Sequence, residues 1–554
     1  MVDIRLKKGL PEGWIKTELG NLCEVVRGGS PRPMGSPKYF NGNIPFIKIS
    51  DVTKVKTKNI YDSNTKVNEA GSKKSRLLPK GSLILSNSGT ICVPKFLGVD
   101  ACIHDGFVSF LNLDNAVSKE YLFHFFHFMR PYIIQKHKQG VTQVNLNTKI
   151  VSEFDLLFPP TEEQHQIVAK IEELFSELDN GIESLKKARE QLKTYRQAVL
   201  KYAFEGKLTK EWRTRQKEMG NPPEPAEKLI ERIKREREKH YQKQIEDWGR
   251  EVKKWGDHGK GGKKPARPRK FKDIPEFSEE ERENLTSLPK SWEWIRINES
   301  VFDLNDDIVD GPFGSNLKNS DYKDDGTVPV IGISNIDEGF RTKIRYVTKE
   351  KFETISRSAV YPGNIVVAKI GSSYGKTGIY PEWMPVGLIP ANLLRIKPSK
   401  HFMRELLVQY LQSSIFKKRL DKIMKSSAQP AYNVSMFRNL PVPFCSIEEQ
   451  KELRYEIESR LSVCDQLEKT IEDSLKKAEA LRQSILKKAF NGELTQEWRE
   501  KHPELISGEN SAGKLLERIK AEKAHACRPP AGRQGQAGLA ADREKVQSKN
   551  MKKK

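Results

Sequence analysis

The sequence predicts a mixed α/β (α+β) protein: two globular domains joined by two long antiparallel coiled-coil helices, with an internal pseudo-two-fold repeat. Three observations lead there. AFEGKLTKEWR at Ala203–Arg213 returns as AFNGELTQEWR at Ala489–Arg499. At that offset the match runs outward without a gap: Glu162-Glu163-Gln164 falls on Glu448-Glu449-Gln450, Arg196-Gln197 on Arg482-Gln483, and AEKLIERIK (Ala226–Lys234) on AGKLLERIK (Ala512–Lys520). A register held that far marks a duplicated unit. Both copies carry heptad-spaced apolar residues, and a segment of short strands and Gly/Pro turns precedes each, opening on the same LPxxW signature.

Taken in order, residues 1–160 form the first globular domain. LPEGW (Leu10–Trp14), IPFIKISDV (Ile44–Val52) and LPKGSLILSNSG (Leu78–Gly89) read as strands and turns. YLFHFFHFM (Tyr121–Met129) reads as an aromatic helix, and the loop GVTQVNLN (Gly140–Asn147) leads into the strand FDLLFPP. Such alternation suits an α/β domain. Residues 161–213 are the first coiled-coil helix, with Ile171, Leu178, Leu185, Leu192 and Val199 recurring every seventh residue and Leu174, Ala188, Tyr195 and Tyr202 on a second seam. That spacing, with charged outer faces, is the coiled-coil pattern. Thr161 ahead of Glu163 and Gln164 marks the start and Gly206 the stop. About 45 residues at 1.5 Å each would make a rod of roughly 65 Å.

Residues 214–285 read as a charged linker insert. It holds the helical stretch AEKLIERIKREREKHYQKQIEDW and then a basic run, Lys253–Lys272, with nine lysines and arginines against one aspartate. This run is either an arm that contacts phosphates or a partner, or a solvated linker. Residues 286–446 are the second domain, echoing the first: LPKSW (Leu288–Trp292), VPVIGISNI (Val328–Ile336), VYPGNIVVAKIG (Val360–Gly371), then SSAQPAYN (Ser426–Asn433) before LPVPF. Residues 447–499 are the second helix, its heptads Ile457, Cys464, Ile471, Ala478 and Ile485, with Leu467 and Leu481 between and Gly492 as the stop. Residues 500–554 read as a charged, disordered tail, for after Lys520 little apolar content remains.

At 554 residues the chain exceeds one core, and 36% hydrophobic with 31% charged residues fits a soluble protein. Its longest apolar runs are strand-length, so no membrane span is expected, and no signal-peptide core opens the chain. Six scattered cysteines without a CxxC pair argue against a disulfide framework or a zinc site and suit the cytoplasm. A formal net charge of +23 favours a polyanion partner, which neutralising cations bind with release of counterions.

Three motifs imitate chemistry. GSSYGKT (Gly371–Thr377) resembles a phosphate loop but has three residues rather than four between its first Gly and Gly-Lys, and no helical periodicity follows. NPPE (Asn221–Glu224) lacks the aromatic residue that stacks on a flipped base, and no glycine-rich cofactor turn follows a strand. His124 and His127 lie i,i+3 amid phenylalanines with no further ligand nearby, so packing is the better reading than a metal site. No catalytic, cofactor-binding or metal residue is therefore expected.

Two diverged domains opening on LPxxW, each followed by EEQ, a heptad helix and AFxGxLTxEWR, resemble the specificity subunit of Type I restriction–modification systems. The likeness runs from Leu10 to about Arg499. It implies that each domain is a target-recognition domain for one half of a bipartite sequence in double-stranded DNA. It further implies that the helices pair antiparallel, space the domains and dock two methyltransferase subunits, with restriction/translocase subunits joining the complex. By that resemblance the chain is not an enzyme: S-adenosylmethionine, ATP and Mg belong to the partners. An autonomous nuclease or methyltransferase would need a cofactor turn or a carboxylate-and-lysine cluster after strands. A coiled-coil adaptor that binds no DNA would need neither base-reading loops nor basic globular parts.

Reading sequence takes donors and acceptors at base edges, while Arg and Lys on phosphates set position. In the first domain the candidates are Arg27, Ser30 and Arg32, then Ser86, Asn87, Ser88 and Thr90, then Thr142, Gln143 and Asn145. In the second they are Ser315, Asn316 and Lys318, then Ser372, Ser373, Tyr374 and Lys376, then Gln429, Tyr432 and Asn433. Glycines in most of these loops allow a close backbone approach, although Gly-Ser-Asn runs are also ordinary turns.

Overall fold

A computed structural model describes residues 9–137, 146–258, 262–271, 273–312, 316–337, 339–341, 344–370, 373–425 and 432–526. The chain divides into two units, Met1–Leu185 with Asp473–Lys554, and Lys186–Glu472. The boundary cuts through both long helices, Thr161–Phe204 and Ile447–Phe490. Each unit therefore owns one α/β domain, the start of one long helix and the end of the other, rather than following the linear segments the sequence suggested.

The first unit holds strands β1 (Ile15–Glu18), β2 (Glu24–Arg27), β3 (Phe40–Ile47), β4 (Asn59–Ile60), β5 (Lys66–Val67), β6 (Arg76–Leu78), β7 (Leu83–Ser86), β8 (Pro94–Leu97), β9 (Ala101–Ile103), β10 (Phe107–Leu111) and β11 (Asp155–Phe158). They form sheets in the orders β2-β10-β7-β8-β4, β5-β3-β9-β6 and β1-β11. The second unit holds β12 (Glu293–Arg296), β13 (Ile308–Asp310), β14 (Val328–Val330), β15 (Arg345–Val347), β16 (Ala359–Val360), β17 (Ile365–Ala368), β18 (Thr377–Ile379), β19 (Gly387–Leu388), β20 (Leu393–Ile396) and β21 (Pro441–Phe444). Their orders are β13-β20-β17-β18, β15-β14-β19-β16 and β12-β21. Apart from β4 the two units match strand for strand, down to the parallel pairs β3·β9 and β14·β19. The faint echo in sequence is a full repeat in topology.

Central strands explain their own burial. β7 (LILS) and β17 (IVVA) are buried at every position, as expected for apolar runs covered on both faces, and β20 (LLRI) is buried throughout too, its Arg395 donating to the Asp306 carbonyl. The aromatic helix, Lys119–His137, sinks Tyr121, Phe125, Phe126 and Met129 into the first core.

Within each unit the long helices run antiparallel. In the first, Arg482 pairs with Asp179 and lies 4.6 Å above the Phe175 ring. In the second, the equivalent Arg196 pairs with Asp465 at 2.6 Å and Glu468 at 3.0 Å. Most of the main heptad row is covered: Ile171, Val199, Ile457, Cys464, Ile471, Ala478 and Ile485 are buried, and Leu178, Leu185 and Leu192 half-buried. The second seam is covered less, with Leu174 and Ala188 half-buried. Tyr195 (51% exposed), Tyr202 (50%), Leu467 (49%) and Leu481 (50%) face outward, because two helices in contact bury one row, and the neighbouring row turns to the flank.

The repeated motif closes a crossed clasp. Glu163, from the EEQ of the first copy, is fully buried. It accepts hydrogen bonds from Thr495 Oγ1 (2.6 Å) and Arg499 Nη1 (2.5 Å) of the second copy, and from Nε1 of Trp14 (2.7 Å) in the LPxxW opening. In the second unit Glu449 accepts from Thr209 Oγ1 (2.7 Å) and is paired with Arg213. Each arginine also donates back to the helix-stop glycine carbonyl, Arg499 to Gly492 at 2.7 Å and Arg213 to Gly206 at 2.5 Å. Those glycines have φ of +71° and +69°, and a Cβ on either would sit 2.5 Å or 2.4 Å from Pro11 or Pro289 of the same LPxxW segments. Gln164 and Gln450 complete each clasp, bridging loop backbone at Ala116, Ser118 and Pro159, and at His401, Met403 and Cys445.

Two expectations are corrected. The tail is ordered through Ala526: the helix Ala512–Ala526 buries Ala512, Leu515 and Ile519 in the first unit's core, and Lys523 Nζ donates to the carbonyls of Gly20 (3.1 Å) and Asn21 (3.0 Å). Likewise the linker helix, Ala226–Asp257, buries Leu229 and Ile233 in the second core. Each looks polar along the chain because its apolar stripe is narrow, and only the domain surface beneath makes that stripe a core. Residues 527–554 lie outside the described set.

Candidate nucleic-acid interface

Antiparallel order fixes where the candidate loops emerge. β10 lies between β2 and β7 and runs against both, so the ends of β2 and β7 and the start of β10 share one sheet edge. Loops 28–33 and 87–91 and the turn 104–106 leave from that edge. In the second unit β20 stands between β13 and β17 in the same sense. There the segments after Asp310 and after Ala368 leave together.

Asp105 organises the first cluster. Its carboxylate accepts from Ser30 Oγ at 3.0 Å and lies 3.7 Å from Arg32 Nη2, while its backbone carbonyl accepts from Arg27 Nε at 2.8 Å. His104 Nδ1 accepts the Gly106 N–H at 2.9 Å, and burial lowers its pKa, which favours the neutral ring. Gly28 is required: a Cβ there would stand 2.2 Å from the His104 carbonyl oxygen. A Cβ on Gly106 would meet Ser88 Oγ at 3.0 Å, so the second loop packs against the same turn. Arg27 and Arg32 are exposed at the rim. The result is a donor-rich, cationic edge, suited to phosphate oxygens and to the acceptors of base edges.

In the second cluster Asp310, at the end of β13, faces the buried Lys369 Nζ at 3.1 Å. A Cβ on Gly311 would lie 2.1 Å from the Pro390 carbonyl carbon, so this turn also needs glycine. The Ala368 carbonyl accepts from Gly375 N–H (2.8 Å) and from Tyr432 Oη (2.7 Å), which ties the loop at 369–376 to the end of the loop preceding Tyr432.

Residues 11–193 and 292–477 match the family model described as the Type I restriction modification DNA specificity domain. The chain belongs to the Type I restriction–modification DNA specificity family. It is 26% identical over 527 residues to the Type I restriction enzyme EcoBI specificity subunit of Escherichia coli, with 93% of each chain covered. It is 20% identical over 456 residues to the Type I restriction enzyme MjaVIII specificity subunit of Methanocaldococcus jannaschii, covering 81% of this chain and 86% of that one. A solved structure from work on complex assembly and conformational transition of the type I R-M system superposes with a TM-score of 0.57 at 17% identity, covering 88% of this chain and 99% of that one. That likeness is one of fold.

Against this family background the candidate residues separate. Arg27, Arg32, Asn316 and Lys318 are exposed, and Ser30, Ser88, Thr90, Ser373 and Lys376 are partly so. Ser86 and Asn87 are fully buried, as is Tyr432 at 1% exposure, so these three do not face outward. Ser86 Oγ donates to the Thr90 carbonyl, and the Asn87 backbone carbonyl accepts from Leu146 N–H at 2.8 Å, while the Asn87 side-chain amide meets no hydrogen-bond partner among the described residues. Tyr374 Oη donates to Asp421 at 2.5 Å, tying the loop to the helix Ser414–Lys425. Asn433 is exposed but caps the helix Val434–Arg438, accepting from Met436 N–H at 2.8 Å, and Asn147 does the same for Thr148–Ser152. Thr142, Gln143, Asn145, Ser315, Ser372 and Gln429 lie outside the described residues. Sequence reasoning missed Asp105 and His104, although the His-Asp-Gly between two apolar runs was a legible turn.

His124 packs between Phe123 and Phe175, and burial lowers its pKa to about 4; that of His127, beside Phe123, falls to about 4 for the same reason. Among the described residues no helix is long and apolar enough to cross a membrane.

Proposed function

We propose that the chain is the non-catalytic specificity subunit of a cytoplasmic Type I restriction–modification complex, its two domains reading the two halves of a bipartite duplex target. The helix pair fixes the spacing, docks two methyltransferase subunits and leaves S-adenosylmethionine, ATP and Mg to the methyltransferase and restriction/translocase partners. One observation carries the reading: two units whose strand orders match apart from β4 each open a glycine-dependent, polar loop cluster at the same sheet edge, while the sequences of those loops differ. A shared scaffold with unlike loops suits two readers of unlike half-sites. The long helices leave Tyr195, Tyr202 and Leu467 exposed beside their buried row, apolar surface that docked partners would cover.

The test is co-expression with a methyltransferase subunit and mapping of methylated adenines on genomic DNA. Replacing Gly140–Asn147 should change one half of the motif and replacing Ser426–Asn433 the other. A stable complex that methylates nothing would defeat the reading.

A further inference from the structure

Beyond Lys234 the insert between the first long helix and the second domain has no matching sequence in the other half, and its structure differs from that of a linker. The helix Ala226–Asp257 carries Tyr241, Trp248 and Trp255 seven residues apart on one face. Residues 262–271, outside any helix or strand, fold back along that stripe. Trp255 Nε1 donates to the Gly262 carbonyl (3.2 Å), Trp248 Nε1 donates to the Pro265 carbonyl (3.1 Å), and the rings of Tyr241 and Phe271 lie 6.3 Å apart. Arg269 pins the far end, 3.0 Å from Asp306 just before β13.

Burial along the strap has period three. Pro265, Pro268 and Phe271 are half-buried, while Lys263, Lys264, Arg267, Arg269 and Lys270 are exposed. That is the pattern of a polyproline-type strand with one edge against the helix, three residues and about 9 Å per turn. The prolines and the aromatic ring of the strap are thus committed inward. What faces solvent is a row of cations with no carboxylate in 262–271.

We infer that this strap is a phosphate-binding arm that grips duplex DNA without regard to sequence. A protein partner would call for an apolar centre with aromatic anchors, and here the aromatics are already used. A polyanion needs only ordered cations, and ordering has been achieved within the fold, so the lysines do not have to be immobilised from a flexible chain. This inference rests on the reading that the chain binds DNA, and it adds an affinity separable from base recognition.

The test is fluorescence anisotropy of the full chain on duplexes with and without its methylation motif, over a range of salt. The variant Lys263→Gln/Lys264→Gln/Arg267→Gln/Lys270→Gln keeps Pro265, Pro268, Phe271 and the Arg269 anchor. It should bind both duplexes about tenfold more weakly or worse, and the magnitude of the slope of log K against log salt should fall by about 3 to 4, roughly 0.9 per phosphate contact. Preference for the motif should not change. Exchanging the same four positions between Lys and Arg should restore the slope. An unchanged slope in the glutamine variant overturns the arm. Loss of methyltransferase binding with the slope intact would overturn it in favour of a protein-docking strap. A wild-type chain that binds no duplex at all would instead defeat the DNA reading itself.

Discussion

Arg499→Ala should unlock the first unit. Glu163 has no exposed surface, and its carboxylate is held by Arg499, Thr495 and Trp14. Removing the arginine leaves a buried carboxylate with two neutral donors. Breaking a buried ion pair in this way costs about 3–5 kcal/mol, which is roughly two to nearly four powers of ten in a local opening equilibrium. Arg213→Ala should do the same in the second unit through Glu449. Arg196→Ala is the contrast, because the Asp465 it meets is 71% exposed, and pairs of that kind contribute under about 1 kcal/mol. Hydrogen exchange read by mass spectrometry on the intact chain separates the cases. Arg499→Ala should speed exchange in Thr161–Phe175 and Leu486–Gly492, and Arg213→Ala in Ile447–Leu461 and Leu200–Gly206. The double variant Glu163→Gln/Arg499→Gln should lose less than Arg499→Ala alone, because it leaves no buried charge. If Arg499→Ala exchanges no faster than Arg196→Ala, the clasp is ornamental and the motif does not recur in order to close it.

Ile519→Ala removes a side chain buried in the first core and should cost about 2–4 kcal/mol, lowering the urea midpoint of the first unit's transition; no shift would return the tail to the disordered class. Gly492→Ala meets a φ of +71° and the Pro11 ring at once, and should lower the melting temperature of the first unit more than Gly181→Ala, which has open space around its Cβ position. His124 is favoured neutral in the fold, with a pKa near 4 against about 6.5 when unfolded. Above pH 6.5 both states are unprotonated and nothing is lost. Between pH 6.5 and 4 the unfolded chain takes the proton first, so stability should fall with acid by up to about 3 kcal/mol. Urea titrations of His124→Phe at several pH values should show a shallower decline, and an identical slope would refute the assignment.

The sequence determined what depends on local order and repetition. Heptad spacing located both long helices, Gly206 and Gly492 ended them, and the shared register announced two equivalent halves. Periodicity also found the buried row through Ile171 and Ile457. It placed Tyr195 and Leu467 on the wrong side, because a heptad gives the angular position of a side chain and not how wide a face the partner helix covers.

Only the tertiary structure decided which copy meets which. Glu163 finds Arg499, from the other copy, because the chain passes along both helices in opposite senses before the motif can close. The same limit governed the loops. Ser86, Asn87 and Tyr432 have the chemistry of base readers, but burial is a property of the surroundings and turned all three away from solvent. Asp105, unremarked in sequence, became the centre of the first cluster because an antiparallel sheet edge brought Arg27, Ser30 and Arg32 to it from far along the chain. A side chain's chemistry is written at its own position, whereas its access to solvent and to partners is set by residues the sequence places elsewhere.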